Sequence, residues 1–245
     1  MRSFKLIFSN AFGNKGRQAH AMKQVRYILV SFTDVSFRPS DIPKLRGYFA
    51  KRFPDDHLFH NHFPDASQSY KYPSIQYRVI NSHPALIGIN DGFDLMKKVF
   101  FELEGIDLNG TYHQSFEKEI SICEKPLGYC EEFRNYRFQS PWMALNEENY
   151  LLYQDANPVR KNQLLKQILK NNLKTLAKGF GYWIEDFDKI EVDGWFKPIN
   201  VNFKNLKMLC FKGEFTTNFE IPDYLGLGKQ SARGFGIVKS IKEVS

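Results

Sequence analysis

Three histidines in one short segment are the residues of this sequence best suited to proton transfer. His57, His60 and His62 lie in DDHLFHNHF and make up half of the six histidines of the chain. Two imidazoles with different pKa values can divide the work of base and acid near neutral pH. Such a pair suits cleavage of RNA by its own 2′-hydroxyl group, and Lys51 or Arg52, just before the segment, would stabilise the charged phosphorane.

The same segment allows two other interpretations. In an extended chain, H-x-H places His60 and His62 on one face, which also suits zinc, with His57 or Asp56 as a third ligand. Neither a cysteine pair nor an H-E-x-x-H motif accompanies these histidines in the sequence. The third interpretation is a polar loop in which the histidines cap or stack. From the residues alone, catalysis, metal binding and a structural role all stay open.

A second feature is a basic helix, predicted from Pro158 to Lys178, that contains no Asp or Glu. Lys166, Lys170 and Lys174 recur every four residues, so they form one stripe, opposite an apolar side that would pack on a sheet. One sign of charge suits a phosphate backbone. The alternative is a solvated face, because like charges at this spacing cost a helix only a few tenths of a kcal/mol.

A third feature is a glycine-rich basic loop near the end of the chain, in IPDYLGLGKQSARGFGIV. Its glycines and the polar residues between them are Gly226, Gly228, Lys229, Gln230, Ser231, Arg233, Gly234 and Gly236. Glycine allows positive φ and a close approach of another backbone, and the enclosed amides, hydroxyl and cations offer a bed for phosphates. The alternative is an ordinary turn before an edge strand.

Composition indicates a folded protein with a local basic excess. The chain has 245 residues, 42% of them hydrophobic, and a formal charge of +7 that favours a polyanionic partner. Residues 1–21 carry four of the basic residues and no acidic one, which leaves +3 for the rest. We expect Met22 to be the natural start, or residues 1–21 to be a disordered leader. The lack of a long apolar run and the three cysteines without a C-x-x-C pair predict a soluble cytoplasmic protein with no membrane partner.

The order of elements predicts the α+β class, with two ferredoxin-like (RRM-like) domains. The first half predicts a strand at 24–32, a helix from Ser40 to Pro54, strands at 75–80 and 85–89, a helix at 91–104, and strands near 115–122 and 134–139. The second half predicts the helix from Pro158 and strands near 189–197, 199–204, 206–214 and 235–242. We expect an N-terminal domain at 22–145 with the histidine loop and a C-terminal domain at 146–245 with the glycine-rich loop.

Four stretches of the chain resemble a known family. They are LFHNHF, the YPSIQYRVI that follows it, SPWMALNEENY at the domain junction, and IPDYLGLGKQSARGFG. They are similar to the b-like subtype of the sixth type of CRISPR-associated protein, which processes precursor CRISPR RNA. That family lies in the repeat-associated RNA-binding (RAMP) superfamily, whose glycine-rich loop is the most specific match here. The resemblance covers most of the chain from Met22.

The resemblance implies two ferredoxin-like domains and an endoribonuclease that cuts CRISPR repeat RNA once per repeat. The implied reaction is attack of a 2′-hydroxyl without a metal or other cofactor, leaving a 2′,3′-cyclic phosphate and a 5′-hydroxyl. By position, His60 and His62 match the family's paired catalytic histidines, with His57 beside them and Lys51 or Tyr48 assisting.

The resemblance also assigns RNA contact to the glycine-rich loop, with Lys229 and Arg233 on phosphates. We expect CRISPR repeat RNA as the partner, and beyond it a CRISPR effector complex and a second copy of this chain. The alternative function is a relative that holds repeat or guide RNA without cutting it.

Overall fold

The computed structural model describes residues 3–9, 22–60, 71–108, 110–115 and 117–241, and for residues 3–9 and 60 it describes the backbone alone. These residues fall into two compact units. Unit 1 contains residues 3–9, Val25–Lys125 and the short segment Ala232–Gly234, whereas unit 2 contains Pro126–Ser231 and the chain from Phe235. The change of unit at 125/126 comes earlier in the chain than the boundary expected at 145/146.

Unit 1 has the ferredoxin-like order of elements that the sequence predicts. Its elements are β1 (Ser3–Ser9), β2 (Lys23–Phe32), α1 (Ile42–Arg52), α2 (His57–His60), β3 (Ile75–Ile80), β4 (His83–Ile89), α3 (Asp91–Glu102), β5 (Gly105–Leu108), β6 (Thr111–Gln114) and the first part of β7 (Glu117–Phe138). The sheet order is β3-β4-β2-β7, with β3–β4 and β4–β2 antiparallel. The order β-α-β-β-α-β is therefore confirmed, with the β5–β6 hairpin added before the last strand.

Strand β1 lies where the sequence predicts a disordered leader. Its backbone runs parallel to β7, with Ser3 opposite Glu117 and Ser9 opposite Cys123. Residues 10–21 lie outside the described part of the chain.

The helices of unit 1 form because their apolar residues recur at helical spacing. Ile42, Leu45 and Phe49 are buried on one side of α1, as predicted. Helix α3 comes close to β4 at two glycines, since a Cβ on Gly88 would lie 2.2 Å from the carbonyl oxygen of Gly92. The resulting core contains buried side chains of both α1 and the single turn α2, such as Phe49 and Phe59.

Unit 2 has the same strand order with one helix missing. It contains the second part of β7, α4 (Glu147–Asp155), α5 (Pro158–Gly179), β8 (Val192–Phe203), β9 (Leu206–Glu220) and β10 (Val238–Ser240). The strands are ordered β10-β7-β9-β8, all antiparallel. In place of a helix between β9 and β10 stands the glycine-rich loop, with a short 3₁₀ turn at Ser231–Arg233. Two ferredoxin-like units in tandem are thus confirmed.

Two predictions of separate strands are wrong. The strands expected near 115–122 and 134–139 are parts of the single 22-residue strand β7, and those expected at 189–197 and 199–204 are the single strand β8. Pro198 lies inside β8, opposite Phe211. The backbone N–H and carbonyl groups of Phe211 are both hydrogen-bonded to Trp142, at 2.8 and 2.7 Å. The missing N–H of Pro198 therefore leaves no backbone group of Phe211 without a hydrogen bond. An edge strand tolerates proline at such a position.

Helix α5 begins and packs as its sequence predicts. The side chain of Asn157 accepts a hydrogen bond from the Arg160 N–H at the start of the helix, and Pro158 occupies the first turn. Its apolar side is buried, at Leu165, Ile168, Leu169, Leu173 and Leu176. Among the helices of the described residues, none is long and apolar enough to cross a membrane.

Candidate functional site

The start of the histidine segment is anchored to the core of unit 1 by the aromatic side chain of Phe59. Helix α2 is a single turn that follows α1, and its Phe59 is fully buried. The ring of Phe59 stacks on Phe49 at 5.3 Å and on Phe53 at 5.1 Å between ring centroids. His57, on the same turn, is exposed. His62 and the side chain of His60 lie outside the described part of the chain. Of the expected histidine pair, only the backbone of His60 is therefore described.

Two of the assisting residues lie on α1, just before the anchor. Lys51, in the last turn, is exposed and has access to a ligand on the surface. Tyr48 is half-buried, and its hydroxyl donates a hydrogen bond of 3.0 Å to the carbonyl oxygen of Gly105. Burial raises the pKa of Tyr48. Its phenol is therefore a neutral, already committed donor rather than a base.

The carboxylate that the zinc interpretation uses is engaged in an ion pair. An Oδ atom of Asp56 lies 3.7 Å from the ammonium nitrogen of Lys98. That ammonium also lies 5.5 Å from the centre of the Phe53 ring, beside the anchor. The negative charge of Asp56, next to His57, is thus balanced by the positive charge of Lys98.

Unit 1 brings together two arginines that the sequence analysis treats separately. At Gly234 φ is +81°, and a Cβ there would lie 2.4 Å from Cδ1 of Ile42, so this part of the glycine-rich loop lies directly on the first turn of α1. The neighbouring Arg233 is half-buried. Burial lowers the pKa of Arg233, and the positive charge of Arg46 lowers it further. Two guanidinium groups that repel each other suit a shared anion such as a phosphate.

Arg46 is the functional candidate of unit 1 that sequence reasoning missed. It lies one turn after Ile42 and one position after Leu45, at the border of the buried side of α1. An arginine at the edge of an apolar face is a weak signal, because such side chains commonly cover the rim of a core. What distinguishes Arg46 is its electrostatic effect on Arg233, a residue distant in sequence. The sequence alone does not show that relationship.

In unit 2 the glycine-rich loop pairs with the segment SPWM. The Leu227 N–H donates to the Gly236 carbonyl at 2.8 Å, and the Gly236 N–H donates to the Pro141 carbonyl at 2.9 Å. At Gly236 φ is +62°, and a Cβ there would lie 1.9 Å from the Leu227 oxygen. The Lys229 N–H bonds to Met143 at 2.9 Å. Two stretches that carry the family resemblance are therefore one structural feature.

A buried tryptophan connects this loop to the basic helix. The position of a Cβ on Gly228 lies 2.7 Å from Nε1 of Trp142, and that indole N–H donates at 3.0 Å to the side-chain oxygen of Asn172 on α5. Of the loop's polar residues in unit 2, Lys229 is exposed, Gln230 is half-buried and Ser231 is buried. Lys229 is thus the side chain best placed to meet a ligand.

The lysine stripe on α5 is present, and the segment that follows the helix partly covers it. Lys166 forms an ion pair of 2.6 Å with Asp193. The ammonium groups of Lys170 and Lys174 lie 4.8 and 4.7 Å from the centre of the Phe187 ring. These contacts hold the stripe in place and neutralise one of its three charges.

Known proteins match both units. Residues 23–125 match the Cas6b N-terminal domain, and residues 128–241 match the Cas6b C-terminal domain. A crystal structure of Cas6b is 35% identical, with a TM-score of 0.83, over 89% of this chain and 100% of that chain. A crystal structure of the CRISPR RNA processing endoribonuclease Cas6b is 34% identical, with a TM-score of 0.71 and the same coverage.

A shorter relative matches as well. An uncharacterised protein of Methanocaldococcus jannaschii is 32% identical over 148 residues, which are 60% of this chain and 100% of that protein. Since the two domain matches together span well over half of its length, this chain belongs to the Cas6b family.

Proposed function

We propose that this chain is an endoribonuclease that cuts CRISPR repeat RNA without a metal ion. The observation that carries the proposal is its membership of the Cas6b family, in which a solved relative at 34% identity is a CRISPR RNA processing endoribonuclease. The histidine segment, the exposed Lys51 and the two arginines all belong to unit 1, which supports a cleavage site there.

The proposed reaction is attack of an RNA 2′-hydroxyl on the adjacent phosphorus. One histidine, His60 or His62, removes the 2′-hydroxyl proton as the new O–P bond forms. The bond from phosphorus to the 5′-oxygen breaks, and the second histidine or His57 protonates the departing oxygen. The products are a 2′,3′-cyclic phosphate and a 5′-hydroxyl. Lys51 supplies positive charge to the phosphorane, where such charge often contributes more than proton transfer.

The glycine-rich loop is proposed to hold the RNA backbone. Lys229 is exposed, and the half-buried Arg233 is next to Gly234, which packs on the first turn of α1, so each offers a cation to a phosphate. The close packing at Gly228, Gly234 and Gly236 gives the loop a defined shape, which presents its amides and cations at fixed positions. The stripe of Lys166, Lys170 and Lys174 is proposed as a second, weaker contact.

The decisive experiment is cleavage of a repeat transcript in EDTA by the full-length chain and by the double variant His60→Ala, His62→Ala. We expect the variant to lose at least about a hundredfold in rate, because general acid–base catalysis typically contributes that much. His113→Ala, a half-buried histidine on β6, is the matched control and should cut at the wild-type rate. A double variant that cuts like the wild type in EDTA would end the proposal.

The chemistry can be tested separately from the residues. A substrate with one 2′-deoxynucleotide on the 5′ side of the cut should resist cleavage, and mass spectrometry of the normal products should show the cyclic phosphate. Tight repeat binding with no product over hours would favour the alternative function, a relative that holds guide RNA. Stoichiometric zinc in the purified protein, with activity lost in chelator, would favour a zinc enzyme.

Two further partners are proposed on the same basis. The cut RNA is expected to pass to a CRISPR effector complex, and the chain is expected to form a homodimer. Light scattering of the purified chain with and without repeat RNA measures its mass, and a monomer mass throughout would exclude the dimer.

A further inference from the structure

A large aromatic side chain is exposed on the sheet of unit 2. Trp195, on β8, is 66% exposed. Side chains alternate along β8 and β9, so Phe196, Phe211 and Phe215 face the buried side, where Phe196 and Phe211 contact Trp142 and Phe215 contacts Phe138. Trp195 therefore stands on the opposite, open face of the sheet. A Cβ on Gly213 would lie 1.8 Å from the Trp195 carbonyl oxygen, so the two strands are tightly apposed where the indole projects.

The register of the four strands places cations on the same face of the sheet as this indole, to one side of it because β8 is the edge strand. Trp195 is opposite Glu214, Glu214 is opposite Arg137 on β7, and Arg137 is opposite Lys239 on β10. One pleat further along β8 and β9, Lys197 is directly opposite Lys212, and both are exposed. Like charges directly opposite each other destabilise a sheet. The presence of this lysine pair is therefore better explained by binding of a ligand than by the stability of unit 2.

The acidic residues near the indole are already paired. Glu214, on β9, accepts a hydrogen bond of 2.7 Å from Nε of Arg137, and Asp193, the one acidic residue of β8, is bound by Lys166. Four cations and one carboxylate make up the surface that we name the Trp195 face, namely Arg137, Lys197, Lys212, Lys239 and Glu214 with Trp195. Its formal charge is 4 − 1 = +3.

We propose that the Trp195 face binds a single-stranded stretch of RNA, stacking one base on the indole and holding the flanking phosphates with Lys197 and Lys212. An open ferredoxin-like sheet with an exposed aromatic ring and surrounding cations is a general solution for unpaired bases. A protein partner would contact a charged, polar surface with a single large apolar group. The negative charge of a polyanion, in contrast, complements the net positive charge of this face. The proposal rests on the proposed function in that it takes RNA as the ligand.

Trp195→Ala is the first test, with Trp183→Ala as its matched control. Trp183 is 73% exposed and also lies in unit 2, with its ring 5.6 Å from the ammonium of Lys178, but it is not on the β8–β9 sheet. The ligand is repeat RNA with single-stranded flanks and a 2′-deoxynucleotide at the cut, so that binding is measured without cleavage. We expect Trp195→Ala to weaken binding about tenfold, the usual order for one lost base stack.

The controls separate this proposal from the proposed function. Trp183→Ala should bind and cut like the wild type, and Trp195→Phe should recover most of the affinity that Trp195→Ala loses. Equal binding by Trp195→Ala and wild type would overturn the Trp195 face, whatever the histidine variants show. Unchanged RNA binding with altered mass in light scattering would also overturn it, in favour of a protein contact.

The charge pair gives a second test. Lys197→Gln with Lys212→Gln should lower the slope of log affinity against log salt by about 1 to 2, and it should leave the melting temperature unchanged or raised. Lys44→Gln with Lys97→Gln, two exposed lysines that pair with carboxylates on their own helices or turns, is the control. Equal slopes in the two double variants would contradict the proposal.

Discussion

The ring of Phe59 stacks on the ring of Phe53, with centroids 5.1 Å apart and planes inclined by 25°. Phe53 is the C-cap residue directly after α1, and Phe59 lies on the single turn that starts the histidine segment. Because a helix of one turn has too few backbone hydrogen bonds to be stable alone, this contact must hold the turn in place. The start of the histidine segment therefore depends on core packing rather than on local helix propensity.

Phe59→Ala should consequently lower both stability and cleavage. Loss of a fully buried ring costs about 3–5 kcal/mol in the free energy of unfolding, and the histidine segment loses its anchor. Urea unfolding and single-turnover cleavage, at a temperature where the variant stays folded, measure the two effects. Phe59→Leu, which keeps apolar volume, should retain most of both.

The control for this prediction is Phe101→Ala, since Phe101 on α3 is 75% exposed. Its unfolding free energy should stay within about 0.5 kcal/mol of the wild type, as is usual for surface positions. A Phe59→Ala variant as stable and as active as Phe101→Ala would show that the stacking does not position the histidines.

The elements of unit 1 were predictable because each is specified locally. Strand β2 has a continuous apolar run, and α1 combines helical spacing with a stop at Pro54. Strand β7 was missed because Pro126 and Gly128 interrupt its alternation, and the strand passes from one unit to the other at that point. Long-range pairing overrides such local breaks, and a single sequence does not record it.

The sequence predicts the types of residue at the candidate site, but it does not predict which other residues those side chains contact. The histidine segment and the glycine-rich loop stand out by composition alone. The electrostatic influence of Arg46 on Arg233 and the register that places cations on the face of Trp195 depend on strand and loop contacts between distant positions. The lysine stripe shows the reverse, since its spacing follows from the sequence, whereas its contacts with Phe187 and Asp193 do not.

Arg233→Gln should weaken repeat binding about tenfold, because one charge-assisted contact to a phosphate is lost. Arg46→Gln should act in the same direction, and the double variant should lose less than the sum of the two single losses, since both guanidinium groups serve one anion. Filter binding to uncleavable repeat RNA measures the loss of binding free energy for each single variant and for the double variant. Fully additive losses, with no coupling between the two positions, would show that the arginines bind separately.

Variants of the lysine stripe should separate its neutralised member from the others. Lys170→Gln with Lys174→Gln should lower the salt slope of RNA binding by about 1 to 2, as expected for two phosphate contacts. Lys166→Gln should change the slope less, because Asp193 already balances that charge at 2.6 Å. Unchanged slopes in both variants would assign the stripe to a solvated, structural role.

Tyr48→Phe tests whether the phenol takes part in proton transfer. Burial raises the pKa of Tyr48 above its ordinary value of 10.0, so the phenol stays protonated throughout the range from pH 6 to about 9. A raised folded-state pKa means that the stability linked to this group is fully present below the unfolded pKa and is lost only as pH rises through the folded one. In the working range the variant should therefore lose only the hydrogen bond to Gly105, about 1 kcal/mol, as measured by urea unfolding.

The rate profile of Tyr48→Phe between pH 6 and 9 should accordingly keep its shape, because a group that does not titrate in that window cannot set either limb. Single-turnover rates on the same repeat RNA, measured at saturating protein, make the comparison direct. Lys51→Gln is the informative companion, since that exposed ammonium is proposed to stabilise the phosphorane and its loss should lower the rate at every pH. A basic limb that shifts in Tyr48→Phe but not in Lys51→Gln would make the tyrosine a participant in proton transfer after all.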